Sequence, residues 1–244
     1  MDRINRSELT KLEIIRFTNQ KILDEGYSNL HARAIAKELN MSPGNLTFHY
    51  RTKEDVLAEL VELLCAFQWK MMEKEAKEGY SSVMAVCLEF AAMASMCDEN
   101  EVAKDFYISA YSNPKCLGII RKNDTARAKE VFKEYCSDWT DETFVEAETL
   151  VSGIEYATLL TTCDSVSLET RITGALNTIL TIYNVPEDIR KVKIEKTLAK
   201  DYRKLGTRVL KEFREYVDHA TEQALIDLLR GKNRTASVDS EEAI

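Results

Sequence analysis

The sequence predicts an all-α protein, and three observations support this prediction. Glycine (8 residues) and proline (3 residues) are scarce among the 244 residues, which favours long helices over tight turns. Apolar residues recur at intervals of three and four along most of the chain, as one buried face of a helix requires. No segment shows a sustained alternation of apolar and polar residues, so we expect essentially no β-sheet.

The first helix, and the helices from the fourth to the end of the chain, are marked by residues typical of helix ends. Ser7 is a good N-cap and Gly26 is a common residue just past a helix, while Thr52 caps a long fourth helix. The last segment is interrupted only by Gly206, which leaves open whether it forms one bent helix or two. The helices expected from these signals cover about residues 7–25, 53–78, 82–97, 101–112, 114–136, 141–163, 168–184 and 187–230.

Two short helices with a tight turn lie between residues 31 and 50. The first of them covers about 31–39, and Asn40 follows where the chain should turn, because asparagine tolerates the left-handed conformation. Ser42 caps the next helix and Pro43 takes its first position, where the missing N–H costs nothing. This pattern is typical of a helix-turn-helix, whose second helix enters the DNA major groove.

On that second helix the spacing separates a buried face from an outer one. Leu46 and Tyr50 are four residues apart and should face the core. Asparagine pairs with adenine, threonine or phenylalanine contacts a thymine methyl, and histidine bonds a base edge or a phosphate. Side chains of these kinds are left pointing outward, at Asn45, Thr47, Phe48 and His49.

Two further residues are candidates for holding the DNA backbone. Lys53, with the free N–H groups at the start of the fourth helix, is expected to hold a phosphate. Arg33, near the start of the second helix, is placed for a backbone or base contact. The alternative is a structural three-helix unit whose exposed polar residues have no function.

The net charge of −8 at first argues against a DNA-binding protein. However, residues 1–60 carry nine basic and nine acidic side chains, and the remaining 24 basic and 32 acidic side chains account for the whole excess. Because salt screens charges beyond roughly 8–10 Å, a local basic face can still hold phosphates. That face is expected at Arg33, Lys37, Arg51 and Lys53.

The composition also limits the other classes of function. No run of about 18 apolar residues exists and the N-terminus lacks the apolar core of a signal peptide, so we expect a cytoplasmic protein without a membrane span. We find no nucleophile–base motif, no metal cluster and no phosphate loop, and therefore expect neither an enzyme nor a cofactor or metal. The six cysteines occur singly and are expected to be buried free thiols, with a redox-sensing thiol left open: Cys65, Cys87, Cys97, Cys116, Cys136 and Cys163.

The helix-turn-helix resembles that of the tetracycline-repressor (TetR/AcrR) family of bacterial transcriptional regulators. The resemblance covers about residues 14–57, and as a set the matching positions are specific. They are Ile14, Ile15, Gly26, Tyr27, Arg33, Ile35, Ala36, Met41, Ser42, Gly44, Leu46, His49, Tyr50, Lys53, Glu54 and Leu57.

The resemblance implies an all-helical homodimer with an N-terminal DNA-binding domain and a larger C-terminal domain that binds a small molecule and dimerises. We place the first domain at residues 1–52, the second at 53–230 and a disordered acidic tail at 231–244. The family usually has tyrosine at Thr47 and often threonine or serine at His31, and both departures concern the details of DNA contact. The DNA-contacting set carried over by position is Arg33, Ser42, Asn45, Thr47, Phe48, His49 and Lys53.

The helices at about 141–163 and 168–184, joined by a short turn at 164–167, resemble the pair that dimerises the family. Each helix is apolar over more than one face, so each must be buried on two sides. The alternative is that both simply form the core of one subunit. The expected dimer interface comprises Leu150, Ile154, Ala157, Thr158, Ile172, Leu176 and Ile179.

Large, adaptable side chains between the fourth helix and that pair suggest an apolar ligand pocket. For each residue alone, ordinary core packing is the alternative. Glu155, inside an otherwise apolar stretch, is a candidate handle for a cationic ligand, unless it lies at an interface rim or in solvent. The expected ligand-binding residues are Phe67, Trp69, Phe90, Met93, Tyr107, Tyr111, Trp139 and Glu155.

The sequence therefore predicts a sequence-specific DNA-binding transcriptional regulator. We expect a repressor that a small-molecule ligand releases from a pseudo-palindromic operator. The alternative is a helical interaction or scaffold protein whose helix-turn-helix no longer binds DNA. A basic face on the third helix favours the first hypothesis, and an acidic face favours the second.

Overall fold

The computed structural model describes residues 6–160 and 166–238, and within these ranges it contains eleven α-helices, one 3₁₀ turn and no strand. Side chains are described at residues 6–74, 77–160 and 166–228. The predicted all-α class is confirmed. The helices are α1 (Arg6–Glu25), α2 (Ala32–Glu38), α3 (Pro43–His49), α4 (Lys53–Lys77), α5 (Ser82–Glu99), α6 (Glu101–Ser112), α7 (Pro114–Val131), α8 (Asp141–Leu160), α9 (Leu168–Ile182), α10 (Glu187–Leu198) and α11 (Tyr202–Val238).

Side-chain caps fix most helix starts where the sequence predicted them. Ser81, Asn100, Asn113 and Ser167 each accept a hydrogen bond from a backbone N–H in the first turn that follows. The predicted end of α7 near residue 136 was wrong. The helix stops at Val131 because the chain folds inward, where the ring of Phe132 stacks on Tyr183 with 4.0 Å between centroids.

The C-terminal segment forms two helices rather than one. The break lies at residues 199–201, where Asp201 Oδ1 accepts from the backbone N–H of Lys204 at 3.1 Å, and not at Gly206, which lies inside α11. α11 continues to Val238, although a disordered tail was expected from residue 231. The rest of that expected tail, the first part of the predicted 164–167 turn and Cys163 lie outside the described residues.

Of the N-terminal helices, α1 packs on α4 and α11, and α2 and α3 pack on each other and on α1; most of the remaining helices pack around α5. Apolar and small residues cover nearly the whole surface of α5, which contacts α4, α6, α8, α9, α10 and α11. A helix that is apolar all round must be buried, and α5 is the centre of the larger domain. None of the helices in the described ranges is long and apolar enough to cross a membrane.

Polar contacts fasten the N-terminal helices to the larger domain on two sides. On one side, the carboxylate of Asp105 on α6 accepts from both the backbone N–H (2.8 Å) and the hydroxyl of Ser28. Within the larger domain, the Lys115 ammonium on α7 lies 2.7 Å from Asp55 at the start of α4, the helix that directly follows the N-terminal domain. On the other side, Arg214 of α11 pairs with Asp24 of α1 at 2.7 Å.

Gly26 makes the first of these contacts possible. Its φ of +91° turns the chain after α1, a conformation that side chains with a Cβ rarely adopt. A Cβ at this position would also lie 2.8 Å from Asp105 Oδ2. The glycine expected to end the first helix therefore also brings Ser28 to α6.

Gly206 allows α11 to approach α5 closely, and we expect Gly206→Ala to destabilise the fold. An added Cβ would collide with Ser95 Oγ and would lie 2.9 Å from the backbone oxygen of Ala92. Overpacking of this kind costs about 1–3 kcal/mol, which urea unfolding measures directly. The matched control is Gly118→Ala on α7, where a Cβ meets open space and should stabilise the helix by about 0.5–1 kcal/mol. Equal stabilities for the two variants would contradict the close approach.

Candidate functional site

The turn between α2 and α3 has the geometry that the sequence predicted. Asn40 adopts a φ of +50°, in the left-handed region. Its N–H donates to Lys37 O at 3.2 Å, and the N–H of Met41 donates to Ala36 O at 2.9 Å. This pair of bonds satisfies the last carbonyls of α2 and fixes the direction in which α3 leaves the turn.

The two helices differ in how they are capped. Ser42 Oγ accepts from the backbone N–H of Asn45 at 3.1 Å, and Pro43 follows at the first position of α3. His31 precedes α2 without a side-chain hydrogen bond to the helix. The start of α3 is therefore held more firmly than the start of α2.

The outer face of α3 is exposed, as the spacing predicted. Leu46 and Tyr50 are buried, whereas Asn45 and Thr47 are exposed and the Phe48 side chain is 76% exposed. The ring of half-buried His49 meets Phe48 edge to face, with 5.2 Å between centroids. Because Thr47 Oγ1 donates to Pro43 O at 2.8 Å, the side chain offers mainly its methyl group to a ligand.

Four basic side chains of the N-terminal helices form no ion pair within the described residues: Arg33, Lys37, Arg51 and Lys53. The first three are exposed, and Lys53 Nζ lies over the ring of Tyr27, 4.3 Å from its centroid. Arg33 and Lys37 are four residues apart on α2 and therefore share one face. Basic groups without acidic partners are available to bind phosphate.

The start of α4 is less open than expected. Thr52 Oγ1 accepts from the Asp55 N–H at 3.3 Å, and Asp55 Oδ2 accepts from the Thr52 N–H at 3.1 Å, which is a reciprocal cap. A hydrogen bond from its own backbone N–H lowers the pKa of Glu54. The expectation that free N–H groups here hold a phosphate was wrong for Thr52 and Asp55, since the N–H groups of both residues are bonded within the chain.

A partly open cavity lies in the larger domain, between α4, α5, α6, α7, α8 and α9. Four of the eight expected ligand-binding residues line it: Phe90, Met93, Tyr111 and Glu155. The other four do not. Phe67 and Tyr107 line a smaller space beside α1 and α11, the Trp69 Nε1–H donates to Asn123 at 2.8 Å, and Trp139 packs on Phe144.

The cavity is strongly acidic, which sequence reasoning anticipated only at Glu155. Its lining includes Glu89, Asp124, Glu148 and Glu155, against the single basic residue Arg127. Glu148 was missed, although it stands seven residues before Glu155 on the face that buries Phe144 and Val151. The signal available in the sequence was an acidic residue at a position where the helical periodicity predicts a buried side chain.

Arg127 is already paired. Its guanidinium, only 7% exposed, contacts Glu89 through both terminal nitrogens and Asp124 Oδ1 at 3.3 Å. The carboxylates raise the pKa of Arg127, while burial raises the pKa of Asp124 to about 6. The single positive charge of Arg127 thus compensates two carboxylates, those of Glu89 and Asp124.

Glu148 and Glu155 have tyrosine partners and no ion pair in the described part of the chain. The Tyr183 hydroxyl donates to Glu148 Oε1, and the Tyr111 hydroxyl donates to Glu155 Oε2 at 2.8 Å. Burial raises the pKa of Glu148 to about 7 and raises that of Glu155 well above its ordinary value. Both carboxyl groups therefore resist ionisation in the empty cavity.

The expected dimer residues fall into two sets. Ile172, Leu176 and Ile179 are buried inside the subunit, and Thr158 is buried too, so the expectation that they form an interface was wrong for the structure described. The apolar period of α9 marks its inner face, three of whose residues, Leu176, Ile179 and Leu180, line the cavity. Leu150, which is 57% exposed, and Ala157 remain on the surface of α8, with Ile154 half-buried.

The outer faces of α8 and α9 are rich in apolar and small residues. Leu150 and Val145 are among the most exposed large apolar side chains of the described ranges. Exposed Gly153 and Ala157 on α8 and Gly174 on α9 leave room for a close helix neighbour. An exposed apolar surface of this kind is a candidate protein–protein contact.

The described cysteines, all but Cys163, are buried free thiols, as expected. Burial raises their pKa, for example that of Cys65 to about 12, which disfavours the reactive thiolate. Among the described residues, no group of three or more histidine, cysteine or acidic side chains has an arrangement that holds a metal ion.

The model of the bacterial regulatory proteins of the tetR family matches residues 14–60 of this chain. Among solved structures, the chain is similar to the TetR family protein CprB from S. coelicolor A3(2), at 19% identity and a TM-score of 0.42 over 85% of this chain and 99% of CprB. It is similar to a gamma-butyrolactone receptor, an ArpA-like protein, at 18% identity and a TM-score of 0.42 over 85% and 98%. A structure of CprB with its operator sequence has 20% identity and a TM-score of 0.39 over 85% and 99%. No curated protein sequence matches the chain.

We expect Glu148→Gln to stabilise the protein at neutral and higher pH. Because the pKa of Glu148 is raised from 4.5 to about 7, the folded chain binds a proton that the unfolded chain releases between these values, and stability is lost as the pH rises through this window. Glutamine removes the titration and still accepts from Tyr183. Urea unfolding should show a gain of about 1–3 kcal/mol at pH 8 and a much smaller one at pH 5. Glu146→Gln, exposed on the same helix, is the control, and a pH-independent gain would contradict the assignment.

Proposed function

The chain belongs to the tetR family of bacterial regulatory proteins, and on that premise we propose that it is a dimeric repressor which a small molecule releases from its operator. It is a DNA-binding regulator of this family. The observation that carries the proposal is the helix-turn-helix surface, where the Phe48 ring is exposed and the nearby chain supplies Arg33, Lys37, Arg51 and Lys53, which form no ion pair within the described residues. DNA covers the apolar ring and neutralises the charges. The site of action is the cytoplasm, where bacterial DNA lies.

Each residue of the outer face has its own part in DNA binding. Asn45 pairs with a base edge, while the methyl group of Thr47 and the ring of Phe48 contact thymine methyl groups. His49 forms a hydrogen bond with a base edge or a phosphate. The Ser42 hydroxyl, whose oxygen already caps α3, donates a hydrogen bond to a phosphate. Arg33 and Lys53 hold the backbone and position α3 in the groove. These basic groups, which form no ion pair in the described ranges, favour this function over a scaffold without DNA binding.

Dimerisation places two copies of α3 on one DNA duplex. The surface that serves it is the outer side of α8 and α9, including Leu150, Ile154 and Ala157 of the expected set together with Val145 and Gly174. Four helices, two from each subunit, then pack across a two-fold axis. Half-sites about 34–36 Å apart follow from this symmetry, so the operator is a pseudo-palindrome.

Two helices connect the cavity to the DNA-binding domain. α6 binds Ser28 through Asp105 and lines the cavity through Tyr111, and α7 binds the start of α4 through Lys115 and lines the cavity through Asp124. A ligand that moves either helix therefore changes the position of α3. Release requires only that the ligand has a higher affinity for the arrangement that does not fit the operator.

A selection of bound sequences from a random DNA pool, at about 150 mM salt, tests the proposed function. We expect a pseudo-palindrome whose half-sites are about one helical turn apart. Phe48→Ala, which removes the exposed ring without touching the core, should recover the same motif with reduced enrichment. Recovery of no motif, with or without added cell extract, would contradict the proposal.

Asn45→Ala and Lys53→Ala should weaken DNA binding in different ways. Loss of Asn45 removes a base contact, so affinity should fall by about 1–3 kcal/mol for the selected site and little for random DNA. Loss of Lys53 removes a phosphate contact, so affinity should fall for all sequences and the salt slope should decrease by about 1. Fluorescence anisotropy titrations at several salt concentrations measure both effects. The same loss from both variants on random DNA would refute the assignment.

A further inference from the structure

We infer that the interior cavity binds an organic cation, whose positive group lies between Glu148 and Glu155 of α8. This inference deepens the proposed function and rests on it, because the cation is then the small molecule that releases the operator. It starts from the charges on the wall. Four acidic side chains and one guanidinium line the cavity, and the guanidinium is already bonded to Glu89 and Asp124.

Glu148 is the strongest pointer to a positive ligand. Its side chain is only 4% exposed, it lines the cavity, and no basic group of the described residues forms an ion pair with it. Tyr183 donates to one of its oxygens, while Oε2 accepts no hydrogen bond in the described part of the chain. A buried carboxylate without a cation is costly, and a ligand cation removes that cost.

Glu155 adds a second carboxylate on the same face of the helix. Seven residues are close to two full turns, so the two side chains lie about 10 Å apart along the α8 axis and project in the same direction. Glu155 also has an oxygen, Oε1, that accepts no hydrogen bond from the described residues. A cation held between the two helix turns faces both free oxygens.

The rest of the wall fits an organic ion better than a metal ion. Aromatic rings attract a positive charge over their faces, and four of them line the cavity: Phe90, Tyr111, Phe132 and Tyr183. Met93, Val151 and Leu176 supply apolar surface for the body of the ligand. The acidic side chains of the described residues do not form a cluster that holds a metal ion. Charge and apolar contact together indicate an ammonium compound with a hydrophobic or aromatic body.

The test compares ligands that have the same shape and differ in charge. A panel of aryl and alkyl ammonium ions, including 3-hydroxyphenyltrimethylammonium, is titrated into the full chain by calorimetry without DNA. Its neutral isostere, 3-tert-butylphenol, is titrated in parallel. The variants are Glu148→Gln, Glu155→Gln and the double variant, with Glu146→Gln, exposed on the same helix, as the matched control. Circular dichroism checks that each variant is folded.

We expect at least one cation to bind about tenfold or more tightly than its neutral isostere. The double variant should lose that preference, each single variant should lose part of it, and Glu146→Gln should keep it. Failure of the whole panel to bind, equal affinity for the isostere, or an unchanged preference in the folded double variant would overturn the inference.

DNA release is measured separately, on the operator that the pool selection yields. A cation that binds in a Glu148-dependent way without releasing DNA would contradict the proposed induction and leave the cation site standing. An operator recovered from the pool together with a failed cation panel would contradict the cation site and leave the proposed DNA-binding function standing. The two hypotheses therefore fail in distinguishable ways.

Discussion

The interior of the larger domain depends on the guanidinium of Arg127. It joins α7 to α5 through Glu89 and holds Asp124 of its own helix. The Gln68 amide of α4 extends the network by donating to Glu89 at 2.7 Å. Removal of one partner from such a buried set leaves a charge without compensation, which costs several kcal/mol. Three helices are thus held in one arrangement by a group that also forms part of the cavity wall.

This arrangement explains why the cavity is both acidic and stable enough to exist. Arg127 compensates the charges nearest to it, and the tyrosine hydroxyls hydrogen-bond to the two carboxyls beyond its reach. Those two carboxyls have raised pKa values because burial favours the neutral form. The folded chain therefore contains acidic side chains whose charges it does not compensate fully. The uncompensated acidic groups face the cavity, where a positively charged ligand is able to compensate them.

Local signals predicted the helices well, whereas the site depended on tertiary contacts. Caps such as Ser42 and the left-handed Asn40 act within a few residues, so the sequence reveals them directly. The periodicity of α9 identified an apolar face correctly but gave no information on which neighbour covers it, and Ile172 proved to face the subunit's own core. The acidic cavity combines residues from α5, α7 and α8, and a single sequence does not show that those helices converge.

The joint between the two domains uses residues that belong to neither functional surface. Ser28 with Asp105, and Asp24 with Arg214, make the fastening contacts, yet none of these residues lines the cavity, and none belongs to the DNA-contacting set. Substitutions in the cavity wall can thus alter which molecule is recognised while the mechanical link stays intact. The same holds for substitutions on the outer face of α3. The ligand and the operator sequence of such a protein are therefore able to change independently, in evolution or by design, provided that these four side chains are kept.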